Sequence, residues 1–280
     1  MKHVPLLAIV LGLFLAAALA LVVAGSGLYI RLSRDLPAMT NITDYNPSLV
    51  TTLYARDGQI LGYLYREKRF LVRVSDLPAY VPKAFLAVED SNFYEHEGVD
   101  LTAIARAFVK NFLAGDIVQG GSTITQQIIK QLLLTSQKKY ERKIKEAILA
   151  YQLENYLTKD EILTVYLNQI FFGSNAYGVE AAARTYFGKY ASDLTLAEAA
   201  LLAGLPKAPS QYNPYHYLDA ARTRQHFALE RMLILGWIRQ EEYDKAMAQP
   251  LVFKTMPEPS WGLGAYYMAE LRRLLLDFLT

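Results

Sequence analysis

Three hydrophobic regimes follow one another along the chain. Leu6 to Val23 is apolar apart from Gly12, and no charge appears between Pro5 and Ile30. Such a run exceeds the roughly 7–15 apolar residues of a secretory signal and suffices to cross a bilayer, so it predicts a retained transmembrane helix. The alternative is a cleavable signal, cut near Ala16-Ala17-Ala18 or Ala24-Gly25-Ser26-Gly27. Leu36 to Pro47 then has no apolar periodicity and reads as a connector. Val50–Tyr54 and Ile60–Tyr65, β-branched and aromatic, flank Asp57-Gly58 and predict a hairpin, with Phe70–Val74 as a third short strand.

From Pro82 the spacing turns helical. Phe85, Leu86 and Val88, then Ile104, Ala105, Phe108 and Val109, fall on single faces. Thr158 with Glu161, and Thr195 with Glu198, predict capping boxes at two helix starts. A helix over Leu194–Leu205 should end at Pro206, beyond which Pro209 and Pro214 punctuate a loop. The pattern resumes at Leu218, with Arg222–Ile238 as a long amphipathic segment and Ala265–Leu275 as a last helix. The fold class expected is mainly α. Residues 1–30 form the anchor, 31–75 the connector and hairpin region, 76–250 the main domain and 251–280 a linker helix.

Charge and composition narrow the chemistry. The net charge is +2, from 29 Lys and Arg against 27 Asp and Glu, so no global field points to nucleic acid and any cationic site must be local. The absence of cysteine excludes disulfides, a thiol nucleophile and Cys-ligated metals. Lys2 on one side of the apolar run and Arg31, Arg34 and Asp35 on the other leave the positive-inside rule almost balanced, so orientation must come from function.

Three stretches carry candidate chemistry. Glu89-Asp90 to Gly98 holds four acids, Glu89, Asp90, Glu95 and Glu97, with Phe93 and His96, at the end of an apolar helix. By composition alone this is an ordinary solvated cluster. Gly120-Gly121-Ser122-Thr123-Ile124-Thr125-Gln126-Gln127 joins a diglycine to hydroxyl and amide side chains before Ile128-Ile129-Lys130. These groups either bind sugar and phosphate oxygens or cap the helix and coat it. Lys138 to Glu146 packs five cations, Lys138, Lys139, Arg142, Lys143 and Lys145, ahead of Glu146, which opens an apolar run.

These stretches, followed by Ile162-Leu163 to Tyr166-Leu167-Asn168, Gly178 to Ala183 and Tyr186-Phe187-Gly188-Lys189, stand in the order of family 51 glycosyltransferases, the peptidoglycan glycosyltransferase modules of class A penicillin-binding proteins, which the chain resembles over about Leu77–Pro214. The resemblance implies a lysozyme-like domain with a small membrane-proximal lobe beginning near Asp100. Phe108, Phe112, Leu113, Ile117 and Val118, flanked by Lys110, would either dip into lipid headgroups or serve as ordinary core.

The function implied is polymerisation of lipid II, with Glu89 as general base on the acceptor 4-hydroxyl and undecaprenyl diphosphate leaving with inversion. Glu146 matches the second family glutamate, organising the diphosphate through a divalent metal, Mg or Mn, or through neighbouring cations. Lys130, Arg142, Lys143 and Lys145 match those cations. Ser122, Thr123, Gln126 and Gln127 match donor-site polar groups, Arg106 and Asn168 further site positions, and Asp90, Phe93 and His96 support the first motif. Lys138 stands where the family usually has arginine, which keeps the charge and loses the bidentate fork.

The partners implied are lipid II, the lipid-linked glycan chain, the cytoplasmic membrane with the catalytic domain on its outer face, moenomycin-type inhibitors, a transpeptidase module and cell-wall assembly proteins. The rival readings are a lysozyme-like hydrolase or lytic transglycosylase, which cleaves glycan, and a silent membrane scaffold. No Ser-x-x-Lys, Ser-x-Asn and Lys-Thr-Gly set is present, and the last helix resembles a linker toward a missing C-terminal module. A fragment of a bifunctional enzyme is therefore expected, with a free-standing transferase as the alternative.

Overall fold

A computed structural model describes residues 6–33, 36, 45–116, 120–133, 139–257, 269–271 and 273–274. The N-terminal run forms α1 (Leu6–Ser33), whose 28 residues at 1.5 Å each span roughly 42 Å. Val10–Gly27 meets the length and composition of a membrane span, and none of it is buried against the protein. A signal sequence meets the same requirement.

The hairpin forms as expected: β1 (Thr51–Tyr54) pairs antiparallel with β2 (Ile60–Leu64), Thr51 opposite Leu64. Gly58 takes φ +83°, a conformation that L side chains rarely adopt, at the turn. The third strand is not Phe70–Val74. β3 is Lys68–Arg69, and it pairs in parallel with β4 (Ala176–Tyr177) instead of widening the hairpin. Buried Arg69 explains the shift. Its Nε donates to the Asn168 backbone oxygen at 3.0 Å and its Nη1 to the Ser48 oxygen at 3.1 Å, with the guanidinium over the Tyr177 ring.

The remaining described elements are nearly all helical: α2 (Tyr80–Glu89), α3 (Leu101–Ala114), α4 (Ile124–Leu132), α5 (Lys139–Tyr156), α6 (Lys159–Gln169), α7 (Val179–Phe187), α8 (Leu196–Gly204), α9 (Leu218–Ile234) and α10 (Gln240–Ala248). The mainly α class is thus observed. Ala197 through Gly204 are all buried, making α8 the apolar-all-round central helix, packed on α2 and α9. Gly204 permits that approach, since a Cβ there would lie 2.6 Å from Arg224 Cβ. Both expected capping boxes form, at Thr158 and Thr195. The segment expected over Arg222–Ile238 begins earlier and ends at Ile234, where Gly236 at φ +69° turns the chain toward α10.

A layer of α4, α5 and α6 packs beside this core, Ile124, Ile128 and Ile129 of α4 being fully enclosed. α3 differs: it buries only Ala107, while Phe108 is 70% exposed and Phe112 and Leu113 78%. The ordinary-core reading of these residues is therefore overturned. Ile117, Val118 and Lys138, with most of the expected helix over 265–275 and of the connector, lie outside the described residues.

Candidate active site

Glu89 is the last residue of α2, whose buried face of Val81, Ala84, Phe85 and Leu86 fixes that helix against the core. Gln127 of α4 donates from Nε2 to Glu89 Oε2 at 2.8 Å. The carboxyl is densely surrounded, and burial raises its pKa above the ordinary value. The Gln127 bond, Arg224 and Lys207 oppose that rise and Asp90 adds to it.

Glu89 borders a cleft of about 570 Å³ built from four segments of chain. Gly120 and Ser122 precede α4, and Gln126, Gln127 and Lys130 lie on it; Arg142, Lys143 and Glu146 come from α5; Pro206 and Lys207 follow α8; Arg224 and Phe227 come from α9. Lys130, Arg142, Lys143, Lys207 and Arg224 thus face one cleft although the net charge of the chain is only +2. Such a wall favours a phosphate-bearing ligand, and a base with a raised pKa at its border suits proton removal from a hydroxyl.

The second glutamate is buried and wholly engaged. Arg142 Nε lies 3.1 Å from Glu146 Oε1, Lys143 Nζ 2.9 Å from Oε2, and Lys143 also donates to Ser122 Oγ at 2.7 Å. These side chains do not fit a divalent cation: both carboxylate oxygens face cations, and among the described residues no group of three or more His, Asp or Glu side chains could hold a metal.

Thr123 and Asn168 are both tied to the backbone of the protein itself. The Thr123 hydroxyl accepts from Gln126 N at 3.1 Å and donates to the Gly98 oxygen at 2.6 Å, so it caps α4 and ties it to the Glu89 loop. Gln126 completes the capping box, its Oε1 accepting from Thr123 N at 3.1 Å, and still borders the cleft. Asn168 is buried, its carboxamide bonded to both backbone groups of Val72 and to the Thr164 oxygen. It positions the chain around β3, with both amide hydrogens committed to the backbone. Lys145 is buried and does not line the cleft.

Asp90, Phe93 and His96 support the loop after Glu89. Asp90 accepts from Ile124 N at 2.9 Å and lies 3.0 Å from His96 Nε2, while Lys159 donates to the His96 oxygen and sits over the Phe93 ring at 4.6 Å. Glu95 and Glu97 line a separate surface hollow. Arg106 lines a smaller cavity that also borders Glu89, together with Ser91 and Arg231.

Sequence reading missed Lys207, Arg224, Phe227 and Arg231. Lys207 sits between two loop prolines, and the others occupy polar or amphipathic helix positions that look solvated in isolation. Yet Arg224 donates from Nε to the Gly204 oxygen at 3.3 Å, with its guanidinium 4.5 Å from the Phe227 ring centre and 5.7 Å from that of Tyr212. Only the packing of α8 on α9 reveals this.

A family model described as Transglycosylase matches residues 57–233. The chain is 45% identical over 259 residues to penicillin-binding protein 1A of Aquifex aeolicus, covering 92% of this chain and 35% of that protein. It is 43% identical over 238 residues to penicillin-binding protein 1A of Neisseria flavescens, covering 85% of this chain and 30% of that protein. A crystal structure of penicillin-binding protein 1A from Haemophilus influenzae matches 82% of this chain and 24% of that one, at 28% identity and a TM-score of 0.45. The chain thus spans about a third of the length of these curated relatives.

Proposed function

The chain belongs to the transglycosylase family, and on that premise we propose that it is a peptidoglycan glycosyltransferase that joins lipid-linked disaccharide units into glycan strands. The observation that carries this reading is the Glu89 carboxyl, held by Gln127 at the border of a cleft walled by Lys130, Arg142, Lys143, Lys207 and Arg224. The acceptor 4-hydroxyl oxygen attacks the anomeric carbon of the donor chain, and Glu89 takes the hydroxyl proton as that bond forms. The bond to the lipid diphosphate breaks with inversion. The cationic wall receives the charge that develops on the leaving group, a stabilisation realised mainly in the transition state. Glu146 holds Arg142 and Lys143 in place for that task.

In this reading residues 76–250 are the catalytic domain, 31–75 the hairpin region, 1–30 an uncleaved anchor with catalysis outside the cytoplasmic membrane, and 251–280 a linker toward a transpeptidase module. Phosphoglycolipids of the moenomycin type would occupy the same cleft. Purified protein with lipid II supplies the test. Wild type should yield long strands on a gel, and Glu89→Gln, which keeps shape but cannot accept the proton, should lose about 10² to 10⁴ in rate with unchanged thermal stability. A hydrolase would shorten added strands, and a scaffold would leave the lipid untouched. Near wild-type polymerisation by a folded Glu89→Gln protein would end the assignment of the base.

A further inference from the structure

The smaller cavity that Glu89 shares is about 60 Å³, far below the roughly 300–1,000 Å³ of ordinary ligand pockets, and is sized for a compact group rather than a sugar ring. Two arginines line it, Arg106 from α3 and Arg231 from α9, with the Ser91 hydroxyl. Neither arginine has an acidic partner among the described residues. Arg231 donates from Nε to the Ala87 oxygen at 3.3 Å in the last turn of α2, which aligns the guanidinium, and among the described residues its terminal nitrogens have no acceptor.

Three acids line this cavity: Glu89, the base of the reading above, and Asp90 and Asp100, both already engaged. Asp90 is taken by Ile124 N and His96, and Asp100 by Asn92 Nδ2 at 2.9 Å, Thr102 Oγ1 at 2.6 Å and Ala103 N at 2.8 Å. Apart from Glu89, the open charged capacity of the cavity is cationic, and paired guanidinium forks match phosphate or carboxylate oxygens. Glu89, Gly120 and Ser122 line both this cavity and the larger cleft, and the larger cleft carries the cations assigned above to the leaving group.

We infer that Arg231, with Arg106, forms a second anion site that holds an oxyanion of the acceptor substrate and so positions its hydroxyl on Glu89. This rests on the glycosyltransferase reading. The acceptor offers two sources of such a group, the diphosphate at its reducing end and the carboxylates of its stem peptide.

The test is single-turnover coupling in the full chain, using a lipid-diphosphate donor whose own 4-hydroxyl is blocked. Three acceptors are compared: lipid II, its peptide-free form, and a peptide-bearing disaccharide with a neutral glycoside in place of the diphosphate. Arg231→Gln should raise KM for lipid II about ten- to a hundredfold, the worth of a lost charged hydrogen bond, while donor KM stays unchanged. The analogue that removes the difference between variant and wild type identifies the bound group. Arg231→Lys, which keeps the charge, should recover part of the affinity. Arg106→Gln, at an exposed residue, should act in the same direction even if Arg231→Gln folds poorly. Equal loss with all three acceptors, a raised donor KM, or no change in either variant would overturn the inference. A wild type that couples none of them would instead sink the glycosyltransferase reading itself.

Discussion

Glu89 is set by opposing influences from four parts of the chain. Burial, the largest, raises its pKa, while the Gln127 hydrogen bond, Arg224 and Lys207 pull it down. A base acts only when deprotonated, so kcat/KM should fall as pH drops through a folded pKa above the ordinary carboxylate range. Arg224→Gln removes a lowering charge, raises that pKa further and should move the acidic limb to higher pH, with part of the lost rate recovered in alkaline buffer. A pH–rate profile whose limb stays in place would show that Arg224 does not act through Glu89. The sequence made Glu89, Gln127, Arg142, Lys143 and Glu146 legible because their spacing repeats a family pattern. The backbone bonds of Thr123 and Asn168 were not legible, because a motif hydroxyl or carboxamide looks the same whether its partner is a ligand or the backbone.

At the scale of elements, α4 carries the site and Thr123 carries α4. Its hydroxyl closes the capping box and reaches the Gly98 oxygen, so one side chain couples the helix start to the loop after Glu89. Thr123→Ala should lower stability by about 0.5–2 kcal/mol through the cap, with a further loss from the orphaned Gly98 oxygen. Polymerisation should fall too, because α4 presents Gln127 and Lys130, and Thr123→Ser should restore most of both. Denaturant midpoints and strand synthesis on the three proteins check this, and intact activity in Thr123→Ala would show that the tie does not position the site. The capping boxes at Thr158 and Thr195 were readable because all their determinants lie within four residues. The third strand was misplaced because its partner Ala176–Tyr177 and its anchor Asn168 are distant in sequence.

For the whole molecule, the exposed apolar surfaces are α1 and one face of α3, and a lipid-contact test addresses the second of them. Phe108, Phe112 and Leu113 contribute little to the core at 70–78% exposure, so replacing Phe108 and Phe112 by serine should change stability by no more than about 0.5 kcal/mol. In reconstituted vesicles a tryptophan at Phe112 should be quenched by lipids brominated on their acyl chains, and an unquenched signal would place this face in water. The sequence by itself determined what local rules govern: the apolar α1, the hairpin around Asp57-Gly58, the capped helices, and the ordered motifs that carry the family. Helix periodicity sorts residues to faces, but it does not say whether an apolar face is buried in the core; for α3 only the tertiary structure decided that it is not. Tertiary structure alone also brought Lys207, Arg224 and Arg231 to Glu89, because α8 and α9 approach through Gly204 and carry those side chains to the end of α2.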